Sequence, residues 1–504
     1  MSISDKFCEF IIHKIFSYLS YEDAANSSLI SKIWQQAWLT QPNLKFKVEY
    51  GKGNNNRKIV EKIMERYKDE KYPIDKFELD ITSSPYHHAL AFPRIDNWLD
   101  TALQNGVKDV VCEVNVPSYP FPISAFLISK SLRELVLTGC DIMSLLLSTS
   151  PMNCHSLRKL SLCDVRLDHH VLQTLLNCCP LISDLEIKNC SLLTKIELRN
   201  LQNIKSFHIS PTDETLSVKI QAPSLEHLSI FEQIVAFDII ECQNLKSLEL
   251  SLLSISQESL ENLIYTSQNL ESLILYYVSG ELNERFNIRS SPSLKVLRIE
   301  GCNDIGEIDA SNLVSFEYDG DGIPDLKIVN ESLQLKKSQA CLSCYSNSTD
   351  VEWFCKMKKF LSNLTSWSQV SLHIGECNDI NLIDLESHPR VAIPKVLVLD
   401  IYMRYIDVST CTNFVDALLW SCHPKILNLV SSIETIICFL DRLTYLKNSS
   451  HSTFDGSVFW HSYRLKEVKA FKYIAENEHV EVDREDLAMM TRTEMSKSFF
   501  LLDW

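Results

Sequence analysis

The sequence contains few glycines and has no excess of basic residues. Only 11 of 504 residues are glycine, and Gly51-Lys52-Gly53 lacks the second Gly-Lys-Ser/Thr of a phosphate-binding loop. Lysine and arginine together number 49 against 65 acidic residues, which gives a net charge of −16. An acidic chain without a basic stripe is poorly suited to nucleic-acid phosphates or an anionic membrane surface. We therefore expect neither a nucleic acid nor a membrane among its partners.

Long hydrophobic runs and targeting segments are absent as well. Charged residues interrupt every apolar run before it reaches the roughly 18 residues that indicate a membrane-spanning helix. Residues 1–6 lack the basic start and apolar stretch of a signal peptide. The 17 cysteines are scattered, which is typical of reduced thiols. These features predict a cytoplasmic and/or nuclear protein.

Motifs that would indicate catalysis or metal binding are also missing. The sequence has no Gly-x-Ser-x-Gly elbow and no His-Glu-x-x-His helix. Cys341-x-x-Cys344 has no second pair at zinc-site spacing, and His87-His88 and His169-His170 lie in polar surroundings that indicate surface positions. The basic run 356–359 is typical of a solvated helix face. We therefore expect no catalytic residue, no metal site and no bound cofactor.

The sequence does contain a repeated pattern, apolar-x-x-apolar-x-apolar. Leu132-Arg133-Glu134-Leu135-Val136-Leu137 is a clean copy, and successive copies lie 20 to 25 residues apart. Weaker copies begin at Ile74 and Leu313, and less regular strands are indicated near 370–372, 396–398 and 427–429. The nine clear copies begin at Val107, Leu132, Leu157, Ile182, Ile204, Leu225, Leu245, Leu270 and Leu294.

This pattern and period form the leucine-rich-repeat signature. The alternating part of each copy predicts a short strand, and the stretches between, such as 170–176 and 258–264, predict short helical or irregular returns. The fold class predicted is α/β, a leucine-rich-repeat solenoid (a horseshoe) over residues 74–445. Residues 303–350 predict either an irregular loop or a bent joint. Small side chains expected to satisfy the turn after a strand are Asn115, Cys140, Cys190 and Cys302.

Residues 7–46 do not repeat and predict a small all-α module of three helices before the solenoid, with a further helix over 57–71. So few apolar residues make a marginal core, which a partner on one face would remedy. The alternative is a cap for the open end of the solenoid. A cap has a polar outer face, whereas four side chains are expected to be exposed and apolar here: Phe7, Phe10, Phe16 and Tyr18.

The module resembles an F-box, on the segments 7–19 and 22–34 and above all on Leu29-Ile30-Ser31-Lys32-x-Trp34. An F-box followed directly by degenerate leucine-rich repeats is typical of plant F-box/LRR-repeat proteins. Residues 97–108 and 175–181 resemble segments of the same family, and 463–469 resemble its FBD-type tail. The domains expected are an F-box over 1–48, a linker helix over 49–73, the solenoid over 74–445 and an FBD-like cap over 446–504.

The resemblance implies a non-catalytic, substrate-recognition subunit of an SCF-type cullin–RING ubiquitin ligase. It implies a Skp-type adaptor, and through it a cullin, as partners of the F-box, and a target protein on the concave face of the solenoid. The adaptor would be contacted by six residues, some of which must instead pack the helices together: Phe7, Ile11, Ile15, Leu19, Leu29 and Trp34. Candidate target-facing residues are Arg133, Arg158, His227, Lys295 and Arg298.

The alternative is an LRR interaction scaffold outside any ligase, whose N-terminal helices only cap the solenoid. Phe7-Cys8 stands where an F-box usually opens with Leu-Pro, and Ser20 stands where a proline often follows the first helix. These two differences favour the scaffold, whereas the stretch ending at Trp34 favours the F-box.

Overall fold

The chain divides into two compact units, Met1–Leu245 and Lys246–Trp504. Among the described residues, no helix has both the length and the apolar composition needed to cross a membrane. The computed structural model describes residues 9–19, 21–50, 56–83, 88–115, 119–144, 153–199, 201–210, 216–232, 236–280, 285–288, 292–302, 305–309, 311–344, 349–375, 377, 380–387, 392–403, 408–449, 465–475, 478–489 and 496–504.

Helices and strands alternate along most of the chain. The helices are α1 (Glu9–Phe16), α2 (Tyr21–Ser27), α3 (Lys32–Leu39), α4 (Asn56–Glu70), α5 (His88–Gln104), α6 (Ile123–Ile128), α7 (His169–Cys178), α8 (Gln257–Thr266), α9 (Val351–Leu361), α10 (Leu382–Glu386), α11 (Val408–Ser421), α12 (Ile433–Ser449) and α13 (Arg484–Ala488).

The strands fall into two groups, one in each unit. Those of the first unit are β1 (Asn43–Tyr50), β2 (Lys76–Ser83), β3 (Asp109–Asn115), β4 (Tyr119–Pro120), β5 (Glu134–Thr138), β6 (Cys140–Asp141), β7 (Lys159–Cys163), β8 (Asp184–Lys188), β9 (Lys195–Leu198), β10 (Ser206–Ser210), β11 (Ser217–Gln221), β12 (His227–Phe231) and β13 (Ala236–Ile240). Those of the second unit are β14 (Ser247–Ser251), β15 (Ser254–Ile255), β16 (Ser272–Tyr276), β17 (Ser279–Gly280), β18 (Phe286–Ile288), β19 (Val296–Glu300), β20 (Ile305–Asp309), β21 (Ser315–Asp321), β22 (Lys327–Asn330), β23 (Lys337–Cys344), β24 (Ser366–Ile374), β25 (Lys395–Met403), β26 (His423–Ser431), β27 (Glu467–Ala475), β28 (Glu478–Glu481) and β29 (Ser496–Asp503).

The repeat pattern locates the strands, as predicted. Each of the nine clear copies has a strand that begins two residues after its first apolar residue; Leu132, for example, precedes β5, which starts at Glu134. The weaker copies at Ile74 and Leu313 give β2 and β21, and the three less regular segments give β24, β25 and β26. The returns over 170–176 and 258–264 are helical, in α7 and α8.

In the first unit, parallel strands stack in register. The order is β1-β2-β3-β5-β7-β8-β10-β12, with β9, β11 and β13 in a second, smaller parallel sheet. Because the register is in step, each repeat places its apolar residue beside that of the next: Leu135, Leu160, Leu185 and Phe207 form one buried ladder. This burial between neighbours stabilises repeats that could not fold alone.

In the second unit the parallel order is β14-β16-β19-β21-β23-β24-β25-β26. The order ends with an antiparallel segment in which β29 pairs with β26, β27 with β29, and β28 with β27. The expectation of an irregular loop over 303–350 is wrong for its described residues, because β20, β21, β22 and β23 lie there in parallel pairing. The register is continuous for β21 and β23, and it shifts between β18 and β20 and between β20 and β22.

A left-handed residue follows many of the repeat strands. Its N–H donates to a carbonyl in the last residues of the next strand, as Asp164 does to Lys188 at 2.9 Å and Gly301 does to Asp319 at 2.7 Å. This conformation costs a residue with a Cβ about 1–2 kcal/mol. The residues at this turn position with positive φ are Gly139, Asp164, Asn189, Glu232, Leu252, Tyr277, Gly301 and Gly322.

All three cysteines expected to serve the turns do so, while the Asn115 side chain lies outside what the structure describes. Cys140, Cys190 and Cys302 are buried, and their thiols donate to backbone carbonyls of the strand ends, for example Cys302 to Glu300 at 3.3 Å. The Cys302 sulfur also accepts from the Val278 N–H at 3.2 Å. Side chains of this size thus satisfy backbone groups that the turn would leave unpaired.

The sheet begins upstream of residue 74. β1 pairs in parallel with β2 along its whole length, from Asn43 beside Lys76 to Tyr50 beside Ser83. It follows α3 almost directly, so the three-helix module continues into the first sheet strand before the helix predicted over 57–71, which is α4.

Candidate functional site

The three N-terminal helices pack around a small core. Its buried residues are Ile12, Phe16, Ala24, Trp34 and Ala37, and Ile15 and Trp38 pack against them. The rings of Phe16 and Trp34 meet edge to face with centroids 5.5 Å apart. Because Phe16 is buried, the expectation that it forms exposed apolar surface is wrong.

One local contact fixes the start of α3, and a second links α3 to α1. The Ser31 hydroxyl accepts from the Trp34 N–H at 3.4 Å and caps the helix, which explains why serine precedes it. His13 Nε2 lies 2.9 Å from the Ala37 carbonyl oxygen. Trp34 is therefore held at its backbone by Ser31 and at its ring by Phe16.

Large apolar side chains remain exposed at two places on this module. Leu29 is 81% exposed and Tyr18 is 76% exposed. The first place is α1 with the turn after it, and the second is the connection between α2 and α3 with the first turn of α3. The exposed residues are Ile11, Tyr18, Leu19, Leu29, Ile30 and Ile33.

The structure sorts the six predicted adaptor residues by burial. Ile11, Leu19 and Leu29 are exposed, whereas Ile15 is half-buried and Trp34 is buried in the core. Phe7 lies outside the described residues, and the structure does not describe the Phe10 side chain. Ile30 and Ile33, which the sequence analysis did not single out, extend the exposed set; their signal was the same Leu-Ile-Ser-Lys-x-Trp stretch.

A cavity of about 580 Å³ lies between this module and the first strands. Its apolar wall includes Phe16, Tyr18 and Leu19, and its polar wall includes Lys45 and Glu78, whose Nζ and Oε2 are 2.9 Å apart. Exposed Leu19 and Tyr18 thus border a hollow rather than a flat surface, so an apolar side chain of a partner has room to enter beside them.

On the first unit's sheet, outward-facing charges pair between neighbouring strands. Arg133 Nη2 is 3.1 Å from Asp109 Oδ2, and Lys159 Nζ is 2.7 Å from Glu134 Oε1. Arg158 instead donates to the backbone carbonyls of His155 and Leu157. His227, the first residue of β12, lies several strands away from both arginines. The predicted target-facing residues of this unit therefore do not form one cluster.

On the second unit's sheet, Lys295 and Arg298 likewise have acidic partners. Lys295 Nζ is 2.9 Å from Glu271 Oε1, and Arg298 lies 3.3 Å from Glu300 and 5.3 Å from the centre of the Tyr276 ring. A polar cleft of about 170 Å³ adjoins Arg298, lined also by Glu317, Gln339 and Gln369.

Beside the cleft, on the neighbouring strand β25, lies a buried carboxylate held by neutral donors. Asp400 accepts from Gln369 Nε2 at 2.6 Å, from Asn428 Nδ2 at 2.6 Å and from the Ser371 hydroxyl at 3.4 Å. Such a network fixes the side-chain amides that line the cleft. The face is polar and rigid here, which suits recognition by hydrogen bonds.

The structure explains why Cys341 and Cys344 do not make a metal pair. They lie three residues apart in β23, so Cys341 is on the outward face and Cys344 on the buried face. Burial, with Asp319 beside it, raises the pKa of Cys341 to about 12, so it remains a thiol at neutral pH. Within the described ranges, no three His, Cys, Asp or Glu side chains are close enough to hold a metal ion.

The other polar residues considered in the sequence analysis are the two histidine pairs and the basic run 356–359. His169 and His170 begin α7, with their rings 3.9 Å apart, while His87 lies outside the described residues. The prediction that residues 356–359 form a solvated face is wrong for Lys358, which is only 6% exposed. Its Nζ lies 3.8 Å from the centre of the Trp420 ring.

Comparison with known proteins gives two family matches. The family described as At1g61320/AtMIF1, LRR domain, matches residues 67–299 and 235–373, and the F-box domain family matches residues 5–46. Together the repeat matches span more than half of the chain.

Similar proteins are found in Arabidopsis thaliana. The protein named Putative F-box protein At3g58860 is 22% identical over 82% of this chain and 95% of its own length. F-box/FBD/LRR-repeat protein At1g13570 is 25% identical over 46% of this chain and 56% of its own length. F-box/LRR-repeat protein At3g03360 is 23% identical over 48% of this chain and 50% of its own length. The chain thus spans one relative almost fully and about half of the other two.

Proposed function

The chain belongs to the leucine-rich-repeat family described as At1g61320/AtMIF1, LRR domain, with an F-box domain before its repeats, and we propose that it is the substrate-recognition subunit of an SCF-type cullin–RING ubiquitin ligase. In this proposal the three-helix module binds a Skp-type adaptor and the outward face of the repeat strands binds a target protein. The observation that carries it is the set of exposed apolar residues on a module that matches the F-box family. Their burial against a partner supplies the stabilisation that so small a core lacks.

The proposed role involves no bond-making by this chain. Holding a target near the charged ubiquitin-conjugating enzyme raises the effective concentration of the target's lysines. The proposal places the protein in the cytoplasm or nucleus, where buried thiols such as those of Cys112 and Cys411 stay reduced. The horseshoe curvature and a concave target site remain predictions of the repeat pattern.

The first test is capture of a purified Skp-type adaptor by the full chain. We expect the wild-type chain to retain the adaptor, and the double variant Ile11→Asp, Leu29→Asp to bind at least tenfold more weakly, because two charges would be buried in an apolar interface. Both side chains are exposed, so the variant should keep its thermal unfolding midpoint.

A matched control carries the same chemistry elsewhere. Val329 and Leu333 are exposed apolar residues of the second unit, and Val329→Asp, Leu333→Asp should capture the adaptor like the wild-type chain. If the folded wild-type chain retains no adaptor, the scaffold alternative is correct and the helices only cap the repeats.

A further inference from the structure

Two neighbouring repeats of the second unit place a bulky apolar residue at the left-handed turn position. Leu252 has φ +54° and is 53% exposed, and Tyr277 has φ +50° and is 57% exposed. The equivalent turns of other repeats hold glycine, aspartate, asparagine or glutamate, for example Asp164 and Gly301. Leucine and tyrosine are among the residues least suited to this backbone conformation.

The surroundings hold both residues in place. The Leu252 N–H donates to the Tyr276 carbonyl at 2.8 Å, and the Tyr277 N–H donates to the Glu300 carbonyl at 2.7 Å. The Tyr277 ring lies directly against Gly301, where a Cβ would overlap it. The position of the ring is therefore set before any partner arrives, which lowers the entropy lost on binding.

Exposure limits what either side chain contributes to the stability of the free chain. More than half of each side chain is exposed, so little apolar area is buried in return for an unfavourable backbone conformation. The turn requires a left-handed backbone but not a bulky apolar side chain, and strain that a smaller residue would lessen is characteristic of functional positions. A rigid, exposed tyrosine beside an aliphatic side chain is also the composition of an interaction hot spot.

The outward face next to these residues is acidic. Among the described residues of β14, β19 and β21, the only cation is Arg298. It is paired with Glu300 and lies near Glu317. Lys337 on β23 also pairs with Glu317. The carboxylates on the three strands are Glu249, Glu300, Glu317, Asp319 and Asp321.

We propose that Leu252 and Tyr277 anchor the target, and that the docking segment of the target is a polypeptide with an apolar side chain next to a lysine or arginine. The apolar side chain contacts the Leu252–Tyr277 pair, and the basic side chain faces the acidic surplus of β19 and β21. This inference rests on the proposed function, because it specifies the target site of the same recognition subunit.

The probe is a displayed library of random 12-residue peptides, selected on the full chain without adaptor. We expect enrichment of peptides with an apolar residue next to Lys or Arg. The most enriched peptide, labelled with fluorescein, should bind the Leu252→Gly, Tyr277→Gly variant at least tenfold more weakly by anisotropy. The same variant should unfold at a higher urea concentration than the wild-type chain, because glycine relieves the left-handed backbone. A merely structural pair would not lose binding while gaining stability.

The matched control is Leu192→Gly. Leu192 is also left-handed, with φ +70°, and 53% exposed, but it belongs to the first unit. This variant should gain stability and bind the peptide within twofold of the wild-type affinity. If the double glycine variant fails to fold, Leu252→Asn, Tyr277→Asn replaces it, because asparagine tolerates this conformation.

Enrichment of acidic peptides, the absence of a common pattern, or an unchanged affinity in the folded double variant would each overturn the inference. Capture of the adaptor by the double variant separates the two proposals. Retained adaptor capture together with an unchanged peptide affinity in the double variant rejects only the docking site, whereas failure of the wild-type chain to capture the adaptor rejects the proposed function.

Discussion

Among the single residues that the structure describes, Lys358 is an unusual buried group, because it is a lysine that is only 6% exposed. It lies in α9 with its ammonium over the Trp420 ring. Among the residues that the structure describes, no hydrogen bond or ion pair to the ammonium group is found. Burial lowers its pKa, because a charge loses hydration in the interior. The cation–π contact recovers about 2 kcal/mol of that loss.

We therefore expect Lys358→Met to stabilise the protein. Methionine fills a similar volume without charge, and replacing a buried charge with an apolar residue is often neutral or stabilising, here by about 1 kcal/mol. Urea unfolding at pH 7 measures the change. The control is Lys356→Met, which removes an exposed lysine paired with Glu352 and should change stability by less than about 0.5 kcal/mol. A loss of stability in Lys358→Met would mean that the contact with Trp420 outweighs the desolvation.

The same variant has a second readout at His423. Burial lowers the pKa of His423 to about 4, and the positive charges of Lys358 and Lys395 add to this effect. A lowered histidine pKa means that the unfolded chain binds the proton first, so stability falls as pH drops from about 6.5 toward 4. Removing the Lys358 charge should raise the His423 pKa and reduce this loss, as an NMR titration of the imidazole would show.

At the scale of elements, the return helices begin at side-chain caps. The Asp350 carboxylate accepts from the Trp353 N–H at 2.9 Å at the start of α9, and Asp168 and Ser256 do the same for α7 and α8. A capping side chain satisfies one of the backbone donors that a helix start leaves unpaired. These caps define where each return helix begins.

Asp350→Ala should lower the free energy of unfolding by about 1 kcal/mol, because it leaves that donor without its partner. Asp350→Asn keeps an acceptor oxygen and should cost only a few tenths of a kcal/mol. Thermal or urea unfolding distinguishes them. Equal losses in the two variants would show that the charge, rather than the cap, is what matters at this position.

Repeat strands could be predicted from the sequence because their signal is local. An apolar residue two positions before each strand and alternation within it are enough to find β5 or β14 without any tertiary contact. β1 was missed for the same reason. Leu44, Phe46 and Val48 alternate as in the other strands, but Gln41 stands where the pattern requires an apolar residue.

Which side of a helix is buried was harder to predict. The spacing of Ile12 and Phe16 indicates a helix, yet only the packing of α3 against α1 decides that Phe16 is inside and Ile11 outside. For Lys358 a signal was available: helical periodicity puts it on the same face as Phe354 and Leu361, away from Lys356. Sequence composition alone makes such a basic run look solvated.

At the scale of the whole molecule, the question is how a growing parallel ladder ends. The last parallel strand, β26, would leave one edge unpaired, and such edges template aggregation. β29 covers that edge in antiparallel register, with Leu427 beside Phe500 and Leu429 beside Ser498. The outermost strand, β28, has only four residues, all exposed, including Glu478 and Glu481. Short, charged edge strands discourage pairing with other chains.

Phe500→Ala should therefore open this end of the second unit. Phe500 is fully buried, and losing a buried phenylalanine costs about 3–5 kcal/mol. We expect this loss to exceed the stabilisation that the other contacts of β29 provide. We expect faster amide hydrogen exchange at Leu427 and Leu429, unchanged exchange at β16, and concentration-dependent oligomers in light scattering.

The control is Lys497→Ala on the same strand. The Lys497 side chain is exposed, so this variant should match the wild-type chain in both measurements. Because the F-box module belongs to the first unit, monomeric Phe500→Ala should still capture the adaptor. Unchanged exchange in β26 would show that β29 contributes little to its stability, and that the sheet tolerates an open edge.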